Sequence, residues 1–299
     1  MPSEPQTLNA WERFHLCPRL LRWPLKLGIV LLVALLALYP RFWLLPTCIA
    51  RLRDLNSTID PSHPGLAPLE AAVRKHCKTD NSPLAIRRAT EEVVYDAIPY
   101  AWDWDTWGVV EYIPNTAEVL AMGREDCDGR AVLAASLLRR MGYEATLVSD
   151  LVHVWVATPT AELMSPGTGA KTLRATDEGT KLDISRSALA NLGRSLAFGI
   201  SVFPLTRELA ILAALAAASM QPRSSVRRRV VGVCLLLLGL ALMRDSGGGL
   251  HGTTYRPHLV WIGLATMLAG WLTLLVTGAN RSSHAKLPPR SLATTTDPG

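Results

Sequence analysis

The chain has 299 residues, of which 49% are hydrophobic and 19% are charged, with a formal net charge of +6 at pH 7. Residues 49–195 carry 16 Lys and Arg against 20 Asp and Glu, whereas the rest of the chain carries 15 against 5. Because the positive charge flanks apolar runs and the central region has no basic face, the composition favours a lipid bilayer as a partner and argues against nucleic acid.

The first predicted element is a membrane-spanning signal anchor at residues 23–45, preceded by a cytoplasmic segment at residues 1–22. Trp23 and Trp43 stand at the two ends of an apolar run of about 20 residues, which is the length that crosses a bilayer. A cleaved signal peptide would require small residues after the run. Bulky residues, YPRFW, follow it instead, so we predict an uncleaved anchor.

An extracytoplasmic domain is predicted at residues 46–195, with a core at residues 83–178. Residues 83–98 place apolar side chains at helical spacing, and residues 129–141 predict a second, more apolar helix that ends at Gly142. Both segments are long enough to pack against a sheet. The sequence therefore predicts two helices in the first half of this core.

An aromatic segment, YAWDWDTWG at residues 100–108, lies between the two predicted helices. Its three tryptophans are compatible either with a substrate groove or with a hydrophobic plug beneath the helices. The alternation of Asp103 and Asp105 with tryptophan suggests that one face of the segment is in contact with water.

Three strands are predicted after the second helix, at residues 144–149, 153–158 and 171–175. The first two are separated by a tight turn, which favours an antiparallel hairpin. Because helices come first and strands follow, the pattern predicts an α+β domain.

Three further membrane segments are predicted at about residues 196–220, 229–244 and 259–278, followed by a disordered cytoplasmic tail at residues 279–299. Basic residues cluster before the first span, between the second and third, and in the tail. Four spans would place all of these clusters in the cytoplasm and the central domain outside. We therefore expect a multi-pass protein of the cell membrane.

The first of these segments contains residues that are expected to interrupt a helix. Arg207 and Glu208 follow directly after Pro204, although residues 196–220 are otherwise apolar. The two charges are compatible with a functional ion pair inside the membrane or, more simply, with a helix boundary at this point.

Cysteine spacing bears on redox chemistry and on metal binding. The five cysteines are Cys17, Cys48, Cys77, Cys127 and Cys234. They form no CxxC pair and no Cys/His cluster with zinc spacing, so we predict no metal site and no cofactor. The irregular spacing argues against a disulfide scaffold, but Cys48 and Cys77 share the predicted outer compartment and could either pair or remain free.

Cys127 stands at the start of the second predicted helix, in the string GREDCDGRA. The first-turn N–H groups and the helix dipole favour a thiolate at such a position, and they offer donors to an oxyanion. We therefore predict that Cys127 is a nucleophile with a lowered thiol pKa.

His153 begins the second predicted strand, 26 residues after Cys127. A lone histidine is more often structural, but its place after a helix that begins with cysteine favours a role as the base. A third group should orient the imidazole and fix its tautomer. Asp177, just after the third strand, is the first candidate for this role, and Asp183 and Asp150 are the alternatives.

The strings GREDCDGRA, LLRRMGY and HVWV together resemble the core of the transglutaminase-like (papain-related) superfamily of cysteine enzymes. The resemblance covers about residues 83–178. It implies a core of helices followed by an antiparallel sheet, here joined to about four transmembrane helices. It also implies that Cys127, His153 and Asp177 match the catalytic triad of the family.

The resemblance implies a membrane-anchored cysteine protease, amidase or protein-glutamine acyltransferase. Its thiol would attack an amide or peptide carbonyl of a protein or peptide substrate and form a thioester, which water or an amine would resolve. No metal or organic cofactor is needed for this chemistry. The alternatives are a non-catalytic binding module of the same fold and an accessory subunit of a membrane assembly.

Overall fold

The computed structural model describes residues 18–77, 80, 82–167, 171–183, 186–222, 224–248 and 255–276. The predicted tail at residues 279–299 and most of the predicted cytoplasmic segment at residues 1–22 lie outside these ranges.

The predicted signal anchor forms one apolar helix that ends earlier than expected. Helix α1 spans Arg19–Leu38, and a short 3-10 turn at Phe42–Leu44 leads into helix α2 at Leu45–Arg53. The helix stops before Pro40 because the residue that precedes a proline disfavours helical backbone angles. The apolar side chains of α1 are largely exposed, as expected for a helix surrounded by lipid.

The central domain begins with a helical half. Two 3-10 turns occur at Leu55–Thr58 and Pro64–Leu66. The helices are α3 at Ala67–Cys77, α4 at Pro83–Ala97, α5 at Asp103–Thr106, α6 at Thr116–Met122 and α7 at Cys127–Arg140. The prediction of a helix from residue 83 is confirmed by α4. Helix α7 begins two residues before the predicted start because the Asp126 side chain caps it, accepting a hydrogen bond from the Asp128 N–H.

The described residues form one antiparallel sheet of five strands, in the order β3-β2-β1-β4-β5. The strands are β1 at Thr146–Ser149, β2 at Val154–Ala157, β3 at Glu162–Leu163, β4 at Leu173–Thr176 and β5 at Gly179–Leu182. Helix α7 packs on β1 and β2, and its side chains Leu133 and Leu137 are fully buried there together with Trp155 of β2. The predicted α+β class is confirmed, and α7 lies at the centre of the core.

Four helices follow the sheet. They are α8 at Arg186–Val202, α9 at Leu205–Ser219, α10 at Val226–Gly247 and α11 at Pro257–Leu275. Among the described residues, three helices (α1, α10 and α11) are long and apolar enough to cross a bilayer. They support the prediction of a membrane protein.

The predicted segment at residues 196–220 is interrupted, which confirms the helix boundary that Pro204, Arg207 and Glu208 suggested. Helices α8 and α9 meet at an angle of 107°. Pro204 has no backbone N–H to donate to the carbonyl of Ile200, so α8 ends and α9 begins there. This bent pair would supply a fourth membrane segment only as a broken helix.

Arg244 of α10 stabilises the bend. Its guanidinium donates to the carbonyls of Ile200 at 3.0 Å and Phe203 at 2.9 Å, which are left without helical partners by the break. It also forms an ion pair with Glu208 of α9. Glu208 therefore pairs across helices, while Arg207 donates to the Gly108 carbonyl of the central domain at 3.0 Å.

Glycines allow α10 and α11 to approach each other closely. A Cβ on Gly239 would lie 2.4 Å from Met267 Cγ and 2.7 Å from the Gly263 carbonyl oxygen. Such distances are shorter than any van der Waals contact, so the two helices pack backbone to backbone at this point. Small residues at a contact of this kind are typical of helices that associate inside membranes.

Candidate active site

A cavity of about 920 Å³ lies between the central domain and the bent pair α8–α9. Cys127 and His153 both line it. Most of its other walls are apolar and come from both regions, including Leu38, Trp102, Trp104, Phe198, Val202 and Ile211. The structure therefore brings the two principal residues of the predicted site to one cavity.

Cys127 is the first residue of α7 and is partly exposed to the cavity. The backbone N–H of Val154, the residue after His153, donates a hydrogen bond to its sulfur. Strand β2 therefore begins directly against the N-terminus of α7. Within the described contacts, no hydrogen bond joins the Cys127 sulfur to the His153 ring.

The predicted low pKa of Cys127 disagrees with its surroundings. Burial, followed by the negative charge of Asp126, raises the pKa of the thiol well above its ordinary value, and the Val154 N–H offsets this only in part. The first-turn donors that should have favoured a thiolate are already used. The Asp128 N–H donates to Asp126, and the Gly129 N–H donates to Asp128.

The surroundings of Cys127 predict how the reactivity of its thiol depends on pH. We expect the rate of Cys127 alkylation by iodoacetamide, measured by peptide mass spectrometry, to increase with pH. The pH at its inflection should be higher than that of glutathione in the same buffer. The physical reason is that burial and Asp126 favour the neutral thiol, so the thiolate forms only at higher pH. The variant Asp126→Asn, which keeps a capping side chain, should move the inflection down. An inflection below that of glutathione in the unaltered protein would contradict the prediction.

The ring of His153 is held by a main-chain carbonyl. Its Nε2 lies 2.9 Å from the carbonyl oxygen of Met164. A carbonyl can only accept, so Nε2 carries the proton in the neutral ring and Nδ1 keeps the basic lone pair. Met164 has a φ of 60°, a left-handed conformation that is costly for this residue type.

Asp150 positions the backbone of His153. Its Oδ1 accepts hydrogen bonds from the N–H groups of Val152 at 3.0 Å and His153 at 2.8 Å. The carboxylate is fully buried, and its other oxygen lies 3.7 Å from Arg194. Asp150, one of the alternatives for the third residue, therefore contacts the main chain of His153.

Asp177 and Asp183 do not line the cavity. Asp177 lies in the turn between β4 and β5, where its charge acts on Arg139 at the C-terminal end of α7. Cys127 is at the opposite end of this 14-residue helix, roughly 20 Å away at 1.5 Å per residue. Asp183 is exposed just after β5. The structure thus brings Cys127 and His153 to the same cavity but leaves Asp177 apart.

The aromatic segment forms part of the cavity wall. The rings of Trp102 and Trp104 are stacked with their centroids 4.9 Å apart, and they contact Phe198 and Phe203 of the bent helix pair. Trp107 points the other way, donating from Nε1 to Glu125 Oε1 at 2.6 Å. The groove interpretation therefore fits two of the three tryptophans.

Sequence reasoning missed a group of acidic side chains beside Cys127. Four carboxylates of the described residues, hereafter the carboxylate cluster, have oxygens within 4.8 Å of one another: Asp103, Glu125, Asp126 and Asp128. Burial, followed by the charge of Asp126, raises the pKa of Glu125 to about 8. The alternation of Asp103 and Asp105 with tryptophan was the available signal, but it had suggested contact with water, which holds for the exposed Asp105 and not for the buried Asp103.

Cys48 and Cys77 are both buried and both free within the part of the chain that the structure describes. Of the two alternatives for these residues, the unpaired one is observed.

No family model, no curated protein and no solved structure matches this chain. The geometry of the cavity is therefore the basis for a functional assignment, together with the resemblance of the motifs around Cys127 and His153.

Proposed function

We propose that the protein is a membrane-anchored thiol enzyme of transglutaminase-like type, which attacks amide or peptide carbonyls with Cys127. The observation that carries the proposal is the shared cavity. It receives a cysteine from the start of a buried helix and a histidine from the adjacent strand, and the histidine is fixed in one tautomer by the Met164 carbonyl.

In the proposed reaction the resting thiol is neutral, so a base must take its proton as attack begins. The proton moves from Cys127 to Nδ1 of His153, and the sulfur forms a bond to the substrate carbonyl carbon. The tetrahedral intermediate then collapses. The bond from carbon to nitrogen breaks, Nδ1 returns the proton to the leaving amine, and a thioester remains on Cys127. Water or an acceptor amine releases the acyl group and restores the thiol.

The cavity walls suggest which part of the substrate enters. Leu38, Phe198, Val202 and Ile211 come from apolar helices, and they line the same cavity as Cys127. Burial of an apolar group here contributes about 25 cal/mol per Å². We therefore propose a protein or peptide substrate with an apolar group next to the reacting carbonyl, bound at the membrane surface.

The test is the capture of an acyl group on Cys127. Full-length protein in nanodiscs is mixed with p-nitrophenyl octanoate or p-nitrophenyl acetate, and nitrophenol release is followed with the mass of the Cys127 peptide. We expect a burst of one equivalent with an octanoyl group on Cys127, and a faster reaction for octanoate than for acetate because of the apolar walls. The variant Cys234→Ala, which removes an exposed thiol on α10, should retain the burst.

A burst that survives in Cys127→Ala, or an acyl group carried only by another residue, would contradict the proposal. The second candidate function is a non-catalytic module that binds apolar peptides or acyl groups in the same cavity. The raised pKa of the Cys127 thiol is the observation that favours it. This module would bind a fluorescent octanoyl peptide saturably without forming any covalent product.

A further inference from the structure

Residues 150–153, hereafter the β1–β2 connection, determine where the chain places His153. Asp150 Oδ1 accepts a hydrogen bond from the His153 N–H at 2.8 Å, and the Asp150 N–H donates to the His153 carbonyl at 3.2 Å. The Leu151 N–H donates to Ser149 Oγ at 3.0 Å. The conformation of this short connection therefore sets the position from which the imidazole enters the cavity.

Leu151 adopts a strained conformation in the β1–β2 connection. Its φ is 74°, which is left-handed and costly for a residue other than glycine. Such a conformation persists only where the surrounding structure holds the residue in place. Part of that support comes from α8, because Ser195 Oγ donates a hydrogen bond to the Leu151 carbonyl at 2.5 Å. Helix α8 is thus hydrogen-bonded to the strained residue two positions before His153.

Arg194, the residue before Ser195, contacts the same connection. Its Nη1 lies 3.7 Å from Asp150 Oδ2, and the side chain of Asp150 is fully buried. Opposite charges attract each other more strongly where water is excluded, so the guanidinium offsets part of the cost of burying this carboxylate. The other oxygen of the same carboxylate accepts from the His153 N–H. Arg194 therefore stabilises the group that holds the main chain of His153.

One face of α8 carries both these polar contacts and part of the cavity wall. Arg194 and Ser195 stand four and three residues before Phe198, which stands four residues before Val202. Residues at these spacings lie on the same side of a helix. All four line the cavity. The predicted boundary between the central domain and a membrane segment, at residue 195, therefore falls inside a helix that belongs to the site.

We propose that Arg194 and Ser195 are positioning residues for His153, which hold the β1–β2 connection against α8 and so keep the imidazole in the cavity that Cys127 lines. This inference rests on the proposed function, because it takes His153 as the base. It makes the bent helix pair a part of the catalytic apparatus as well as an attachment to the bilayer. Since both residues also line the cavity, the test must separate an effect through His153 from direct contact with the substrate.

The first measurement is single-turnover acylation of full-length protein in nanodiscs by p-nitrophenyl octanoate. Arg194→Leu and Ser195→Ala should lower the rate at saturating ester by about 10- to 100-fold, because a shift of about 1 Å in a reacting group has effects of this size. The ester concentration at half-saturation should change less than about twofold. Arg194→Lys should recover most of the rate, since an ammonium group can still pair with Asp150.

Two controls accompany this measurement. Arg74→Leu makes the same chemical change in a largely exposed ion pair with Glu70 on α3, and it should keep the rate of the unaltered protein. The second control is alkylation of Cys127 by iodoacetamide at a pH above the inflection of its thiol, where no base is needed. Arg194→Leu and Ser195→Ala should be alkylated there as fast as the unaltered protein, which would show that the surroundings of the sulfur are intact.

The deciding comparison is made in the His153→Ala background. A residue that acts only through His153 has nothing left to position there, so adding Arg194→Leu or Ser195→Ala should change the residual rate less than about twofold. A further loss as large as in the unaltered protein would overturn the inference and indicate direct contact with the substrate or a general structural role.

The remaining outcomes separate this inference from the proposed function. If His153→Ala is slow but Arg194→Leu and Ser195→Ala are not, the proposed function stands and the inference is overturned. If His153→Ala itself acylates normally, the base is lost from the mechanism and both are overturned. Ser195→Ala removes a single hydroxyl, so it decides the question even where Arg194→Leu does not fold.

Discussion

Replacing His153 by Ala is expected to lower the rate of acyl transfer to Cys127 by about 100- to 10,000-fold, the usual range for loss of a positioned general base. The effect should be large because the raised pKa of Cys127 keeps its thiol neutral at rest, so a base must take the proton as attack begins. The measurement is the single-turnover burst with p-nitrophenyl octanoate. His153→Gln should lose as much, although its amide can still donate to the Met164 carbonyl.

The control for this prediction is the variant Asp177→Ala. The sequence placed Asp177 in the triad, whereas the structure places it near Arg139 at the far end of α7. We expect this variant to retain the burst within about twofold, since a substitution at an exposed turn changes little. A loss as large as that of His153→Ala would show that Asp177 acts on the imidazole after all, and a normal burst in His153→Ala would remove the base from the mechanism.

The substitution Arg244→Leu is expected to destabilise the protein by about 3–5 kcal/mol, the range found when one partner of a buried ion pair is removed. The side chains of Arg244 and Glu208 are only 18% and 10% exposed. The carbonyls of Ile200 and Phe203 would also lose their donor. The measurement is reversible unfolding in detergent micelles with denaturant.

A double variant separates the two contributions. In Arg244→Leu/Glu208→Leu no charge is left without a partner, so we expect part of the lost stability to return. The stability that the double variant does not regain measures the loss of the hydrogen bonds to the carbonyls at the end of α8. A single variant as stable as the unaltered protein would mean that the bend between α8 and α9 does not depend on this side chain.

Helices α4 and α7 and the first strands were predictable because local signals agreed with the final packing, whereas helices α3, α5 and α6 were not predicted. Pro83 marks the start of α4, and Gly142 follows the end of α7. The break at Pro204 was visible as an interruption, but its angle was not, because that angle depends on Arg244, which lies 40 residues further along the chain. Strands β3 and β5 were missed since each is short and is defined by its neighbour in the sheet.

The place of a side chain was predictable where it follows from the start of a helix or strand, and its partners were not predictable where they belong to the main chain. The positions of Cys127 at a helix start and of His153 at a strand start predicted that both would line one cavity. The partner of the imidazole was not, because a backbone carbonyl such as that of Met164 has no signature in the amino-acid sequence. The direction of the Cys127 pKa shift was also missed, since it depends on which neighbours use the helix donors.

The ring of His153 is hydrogen-bonded to a main-chain carbonyl oxygen, and this limits which substitutions can test the orientation of the ring. Every amino acid supplies that oxygen, so an alanine scan would pass over residue 164 without noticing its part in orienting the ring. Replacing the peptide bond after Met164 by an ester bond would test this contact, because an ester carbonyl is a weaker hydrogen-bond acceptor. By the same reasoning, the hydrogen bond itself does not depend on the side chain at residue 164 as long as the fold keeps the left-handed turn.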